Sequence, residues 1–141
     1  MLSIIRLELC IKKKKRVIIF FLTIIYVIAL NPETNVPFLH NLDKANNLDI
    51  LLDAEEAVGK IREYLKKFDN TYPDVQYDFI EHKGYGIVGK ILTEYISQNQ
   101  LDLDLLIVGS RNLDGLQKVV LSSTSDYLAR HVHCPVTIVK Q

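Results

Sequence analysis

Three observations predict an α/β protein built on a parallel sheet. The segment from Leu103 to Gln141 reads as strand, loop, helix, strand. Within it Leu105-Leu106-Ile107-Val108 is a short apolar run with no polar alternation, the pattern of a strand covered on both faces of a parallel sheet. A second strand, glycine loop, helix unit precedes it: Val75, Tyr77 and Phe79 alternate with polar residues, and beyond Lys83-Gly84-Tyr85-Gly86 the residues Ile87, Val88, Ile91, Leu92, Tyr95 and Ile96 recur at helical spacing. The 141 residues suffice for one domain with a real core and leave no room for a second.

At the N-terminus, Ile4, Ile5, Leu7, Leu9 and Ile11 fit a helix and a strand equally, and both readings stand at this level. Lys12 to Arg16 is a basic run, read as a solvated turn. Val17 to Leu30 is mostly apolar and rich in β-branched residues, which favours a buried strand. It is short of the roughly 20 residues a spanning helix requires. As a leader it would place Leu30 and Ile28 where a cleavage site wants small residues. Residues 31 to 52 carry Pro, Asn and Asp with little periodicity and read as a long connection.

Asp53 and Glu56 are spaced as a capping box, so a helix is expected to start there, with Ala54, Ala57, Val58, Ile61, Leu65 and Phe68 on its apolar face. Residues 69 to 74 form a turn, and the alternating strand after it suits a sheet edge. Gly109 ends the next strand. Residues 109 to 125 are rich in Gly, Ser, Asn and Asp, which permit tight turns and leave N–H groups to face an anion. Ser123 and Asp126 are spaced as a second capping box, opening a helix that carries Tyr127, Leu128, His131 and Val132. Pro135 stops that helix, and Val136 to Val139 is the last strand.

The charge balance, 17 basic against 17 acidic residues, provides no overall field to recruit nucleic acid or an anionic membrane. Cys10 and Cys134 form no CxxC and read as reduced thiols of a cytoplasmic protein. The four histidines show no metal-ligand spacing. No GxSxG elbow surrounds Ser122 to Ser125, and no general base, metal set or Walker motif is present, so the expected protein is not an enzyme.

The runs Leu105 to Arg111, Leu113-Asp114-Gly115-Leu116, Val120 to Leu128 and His133-Cys134-Pro135-Val136 together resemble the C-terminal half of the universal stress protein (UspA-like) family. The resemblance implies a three-layer α/β/α, doubly wound, Rossmann-like parallel sheet of the adenine-nucleotide α-hydrolase-like type. Its implied strand order is 3-2-1-4-5, over a single domain 1–141 in which residues 1–16 are atypical. It implies a stress-regulatory module with an ATP or AMP site, with Mg, at the loop after the fourth strand. In ATP-binding members that loop reads Gly, two residues, Gly, nine residues, Gly, then Ser or Thr. On this chain those four positions are Gly109, Asn112, Ser122 and Ser123, with Arg111, Lys118 and Thr124 beside them.

Asn112 tolerates the left-handed backbone better than most residues, whereas Ser122 puts a side chain where backbone would meet phosphate. The acidic residue that ends the family's first strand has no counterpart: between Met1 and Leu30 the sole acidic residue is Glu8. Val17 to Leu30 resembles the second strand, so the first is missing or replaced by part of Met1 to Ile11. Two functions follow from the resemblance, a nucleotide-responsive regulatory module or a non-enzymatic interaction module of the same fold that has lost nucleotide binding. Both imply a homodimer paired through the apolar edge at Val136 to Val139, with neither nucleic acid nor membrane as partner.

Overall fold

In the computed structural model, residues 3–11, 18–110 and 123–140 are described. The elements are β1 Ser3–Ile11, β2 Ile18–Leu30, α1 Pro37–Thr71, β3 Gln76–Tyr85, α2 Val88–Gln98, β4 Leu105–Ser110, α3 Ser123–His131 and β5 Val136–Lys140. The five strands form one sheet in the order β3-β2-β1-β4-β5. β2 pairs with β3 and β4 with β5 in parallel, while β1 runs antiparallel to both of its neighbours. The N-terminal apolar segment is therefore a strand and sits at the sheet centre.

The α/β class and the strand order agree with the sequence, and the direction of β1 corrects an all-parallel sheet to a mixed one. The reason is chain length. Parallel neighbours need a crossover of about a dozen residues or more, and the six positions 12–17 between β1 and β2 permit a hairpin instead. The basic run Lys12 to Arg16 lies outside the described residues.

Right-handed crossovers then decide which face each helix covers. The chain moves outward in one direction from β2 to β3 and in the other from β3 to β4 and β4 to β5, so α1 lies on one face and α2 and α3 on the opposite one. Side-chain clusters confirm the split. Ile25 and Val27 of β2 join Leu106, Val108, Ile91, Leu92 and Leu128 on the α2–α3 side. Tyr26 and Ile28 meet Ala54, Ala57 and Val58 on the α1 side, extended by Leu22, Ile24 and Leu65. Leu92, Val108 and Leu128 are wholly buried, each worth about 1.5–3 kcal/mol relative to exposure. On the α1 side the alternate β4 residues Leu105 and Ile107 are half-buried. A β1–β2 hairpin supplies no helix to cover that half of the sheet.

Residues 37–52 are helical rather than a loop, so α1 begins at Pro37 and not at Asp53. Proline suits the first helical turn because the N–H it lacks would have no intrahelical acceptor there. The link Asn31–Val36 is held by an amide clamp: Asn31 N donates to Asn47 Oδ1 at 2.8 Å and Asn47 Nδ2 donates to Asn31 O at 3.1 Å. The Thr34 N–H also donates to Asp43. No residue from Leu39 to Asn46 is buried, whereas Ile50 and Leu51 pack beside Leu30. The first turns of α1 thus extend past the end of β2.

Candidate functional site

Because β2, β3, β4 and β5 all point the same way, their carboxyl ends share one edge of the sheet. In doubly wound sheets that edge, at the point where the chain's direction of progress reverses, is where ligands settle. The turn between β3 and α2 is the best-defined part of it. β3 continues through Lys83-Gly84-Tyr85, so the loop inferred from those residues contracts to Gly86 and Ile87. Gly86 has φ +101° and donates its N–H to Leu30 O, which ties the end of β3 to the end of β2. A Cβ at Gly84 would fall 2.6 Å from Ile91 Cγ2, so glycine here lets α2 close onto the strand.

α2 starts without a side-chain cap, since its N-cap is Ile87, and no acidic residue lies in its first turn. Its N–H groups and the positive end of its dipole therefore face the edge without a local carboxylate. α3 begins beside it. The two helices approach so closely that a Cβ on Gly89 would lie 2.8 Å from Tyr127 Cδ1. Asp126, in the first turn of α3, accepts from Arg130 at 3.0 and 3.1 Å, an exposed ion pair one turn apart. Two helix N-termini side by side form an anion-favouring surface.

Of the residues inferred for nucleotide contact, Gly109 is the penultimate residue of β4, inside the strand rather than after it, and a Cβ there would meet nothing within 4 Å among the described residues. Ser123 is the first residue of α3 and Thr124 follows it, half-buried. Arg111, Asn112, Lys118 and Ser122 lie outside the described residues. Gly109 and the start of α3 are brought to the same edge by β4 and its crossover.

The missing acidic residue now has a geometric account. Reversal of β1 puts Ser3 opposite Tyr26 and Glu8 opposite Phe21, so Glu8 sits toward the amino end of β2, away from the candidate edge. Sequence reading also missed Asn47 and the first turns of α1, which stand over the carboxyl end of β2. The Asn31–Asn47 pairing, 16 residues apart, leaves no periodic signal.

β5 forms one outer edge of the sheet, with Val136 and Ile138 half-buried and Thr137 and Val139 exposed. Among the described residues no helix is long and apolar enough to cross a membrane. None of their His, Cys, Asp and Glu side chains form a group that could hold a metal ion.

Comparison with known proteins places the fold in context. The model of the universal stress protein family matches residues 22–140. A universal stress protein of Methanocaldococcus jannaschii is 21% identical over 117 residues, covering 83% of this chain and 63% of that protein. A universal stress protein of Synechocystis is 49% identical over 39 residues, 28% of this chain and 25% of that protein. The chain spans less than two thirds of the length of these relatives, and no solved structure matches it. The family match begins inside β2, leaving the reversed strand β1 ahead of it. Matched over β3, β4, β5 and all three helices, the chain belongs to the universal stress protein family.

Proposed function

We propose that this protein is a non-enzymatic regulatory module that binds the phosphates of ATP or AMP, with Mg, at the carboxyl edge of β4 and the N-terminus of α3. The observation that carries the reading is the convergence of Gly109, whose Cβ position meets none of the described residues within 4 Å, and two neighbouring helix N-termini whose first turns add no unpaired carboxylate. Gly109, Arg111, Asn112, Ser122, Ser123 and Thr124 would contact the phosphates, backbone N–H groups and hydroxyls donating to the anionic oxygens. The adenosine end would lack the acidic partner on β1. Affinity would then rest on the phosphates and fall with added salt.

The test is equilibrium binding of ATP, AMP and adenosine to the purified chain and to Ser123→Ala. Micromolar ATP binding, weakened at least about tenfold by Ser123→Ala and absent for adenosine, is the expected result, tenfold being about 1.4 kcal/mol. Failure of ATP and AMP to bind the folded protein would reject the reading.

The reversal of β1 favours a second reading, an interaction module without nucleotide. Its mark would be nucleotide binding gained in an Asn112→Gly, Ser122→Gly double variant and absent from the parent. In either case we propose a cytoplasmic homodimer joined along β5. Val139→Glu, at a position 48% exposed, should give monomers by light scattering if β5 is the seam.

A further inference from the structure

The sequence of β4 and its surroundings disagree. Leu105-Leu106-Ile107-Val108 is apolar at every position, as strands are when both faces are buried. Leu106 and Val108 meet that expectation beneath α2 and α3. Leu105 and Ile107, on the other face, are only half-buried, and among the described residues they join none of the core clusters. α1 lies on that face too, but it packs on β2 and β3.

The uncovered patch continues to either side of β4. In the register with β5, Ile107 is opposite Thr137 and Gly109 opposite Val139, and both β5 residues are exposed, Val139 by 48%. In the register with β1, Ile107 is opposite Ile5 and Leu105 opposite Leu7. Opposed residues of neighbouring strands share a face. Leu105, Ile107, Thr137 and Val139 therefore form one uncharged surface beside α1.

Three properties point to its occupant. A flat, uncharged sheet face is complementary to a copy of itself, which is what a twofold contact requires. The second property is clearance. A helix is about 10 Å across and stacked sheets lie about 10 Å apart, so a second sheet laid on the patch fits beside α1. Its strands must run aligned with the first, because a crossed sheet would meet the helix. The third is area. Three strands at about 4.8 Å and six residues at about 3.3 Å make a patch of about 14 by 20 Å, and closing two of them removes on the order of 1,000 Å² from water. That is close to the least a specific interface uses.

We propose that a second copy of this chain covers the β1–β4–β5 face, sheet on sheet about a twofold axis along the strands, with Leu105, Ile107 and Val139 of the two copies interleaved. The contact goes beyond the β5 pairing above: an edge contact joins β5 backbones and leaves Leu105 and Ile107 uncovered. Its small area makes the dimer concentration-dependent in the micromolar range.

The experiment combines sedimentation equilibrium of the full chain across that range with isotope-filtered NMR on a mixture of labelled and unlabelled copies. Methyl groups of Leu105 or Ile107 in one copy are expected to show NOEs to Val139 in the other. Leu105→Lys should weaken association at least about tenfold, since it buries a charge without a partner. Leu105→Met, which keeps the volume and the apolar character, should leave association within about threefold of the parent. Where Leu105→Lys does not fold, the NOEs decide. A chain that stays monomeric throughout, or a dimer without those methyl NOEs, overturns the proposal. A dimer that Leu105→Lys leaves intact overturns it as well, and leaves the edge pairing of β5 standing.

Discussion

Gly89 shows how a single missing methyl group sets the distance between α2 and α3. Replacing glycine by alanine inside a helix ordinarily stabilises by about 0.5–1 kcal/mol. Here the new Cβ would stand 2.8 Å from Tyr127 Cδ1 and 3.3 Å from Tyr127 Cβ, and the ring of Tyr127 is stacked on His131 with centroids 3.9 Å apart. Rotating the ring cannot relieve the contact with Cβ. Overpacking of this kind costs about 1–3 kcal/mol, so Gly89→Ala is expected to destabilise by about 1–2 kcal/mol in urea unfolding. Cys134 offers a second residue-scale test. Burial raises its thiol pKa, opposed in part by hydrogen bonds from its own and Leu106's backbone. The unfolded chain therefore releases this proton first: the contribution to stability is complete below the ordinary thiol pKa and is lost as pH rises through the folded one. In a Cys10→Ser protein, iodoacetamide should modify Cys134 more slowly at pH 8.5 than in urea, and equal rates would remove the burial argument. Chemistry at this scale was partly legible: the end of β4 at Gly109 and the start of α3 near Ser123 were expected from the sequence, whereas the positive φ of Gln100 has no signature in a residue that seldom adopts it.

α1 illustrates what governs legibility at the scale of an element. Its half from Ala54 to Leu65 packs on the sheet, and there the apolar positions fall on one face and announce a helix. In the half before it the apolar residues Leu39, Leu42, Leu48 and Leu52 are exposed, so they follow no core-facing stripe. A capping-box spacing at Asp53 and Glu56 then mimicked a start in mid-helix. The overhanging turns are held by Asn47, which is buried and bonds both the N–H and the C=O of Asn31. Asn47→Ala would leave those two groups unpaired at a cost of about 1–3 kcal/mol. Hydrogen exchange should quicken at residues 39–46 and stay slow at Val58 and Leu65. Uniform quickening along α1 would mean that the helix opens as one unit. The apolar run of β2 was legible because both of its faces are covered, and the edge strand β3 because its two faces differ; β4 reads as an equally apolar run although only its Leu106 and Val108 face is covered by helices.

At the scale of the whole molecule, the strand order was anticipated and the direction of its central member was not. A nine-residue apolar segment carries no arrow; direction comes from the length of the connection that follows, and a six-position link dictates reversal. That reversal separates two parallel pairs, β2 with β3 and β4 with β5, and makes β1 the seam between them. The shared direction of the other four strands gathers helix N-termini at one end of the sheet and helix C-termini at the other.

The seam has a consequence in time. On one side β1 meets β2 through a hairpin, a local contact of the sort that forms in about 1–10 μs. On the other it meets β4, where Ile4 and Val108 lie roughly a hundred positions apart and closure is among the slowest kinds of event for a chain. The hairpin, with β3, and the β4–β5 unit can each assemble before they are joined, so the join is expected to come late. Ile107→Gly, in the middle of that join, should raise the unfolding rate and leave refolding nearly unchanged in a stopped-flow chevron. Slowed refolding would instead put the longest-range contact of the sheet in the nucleus itself.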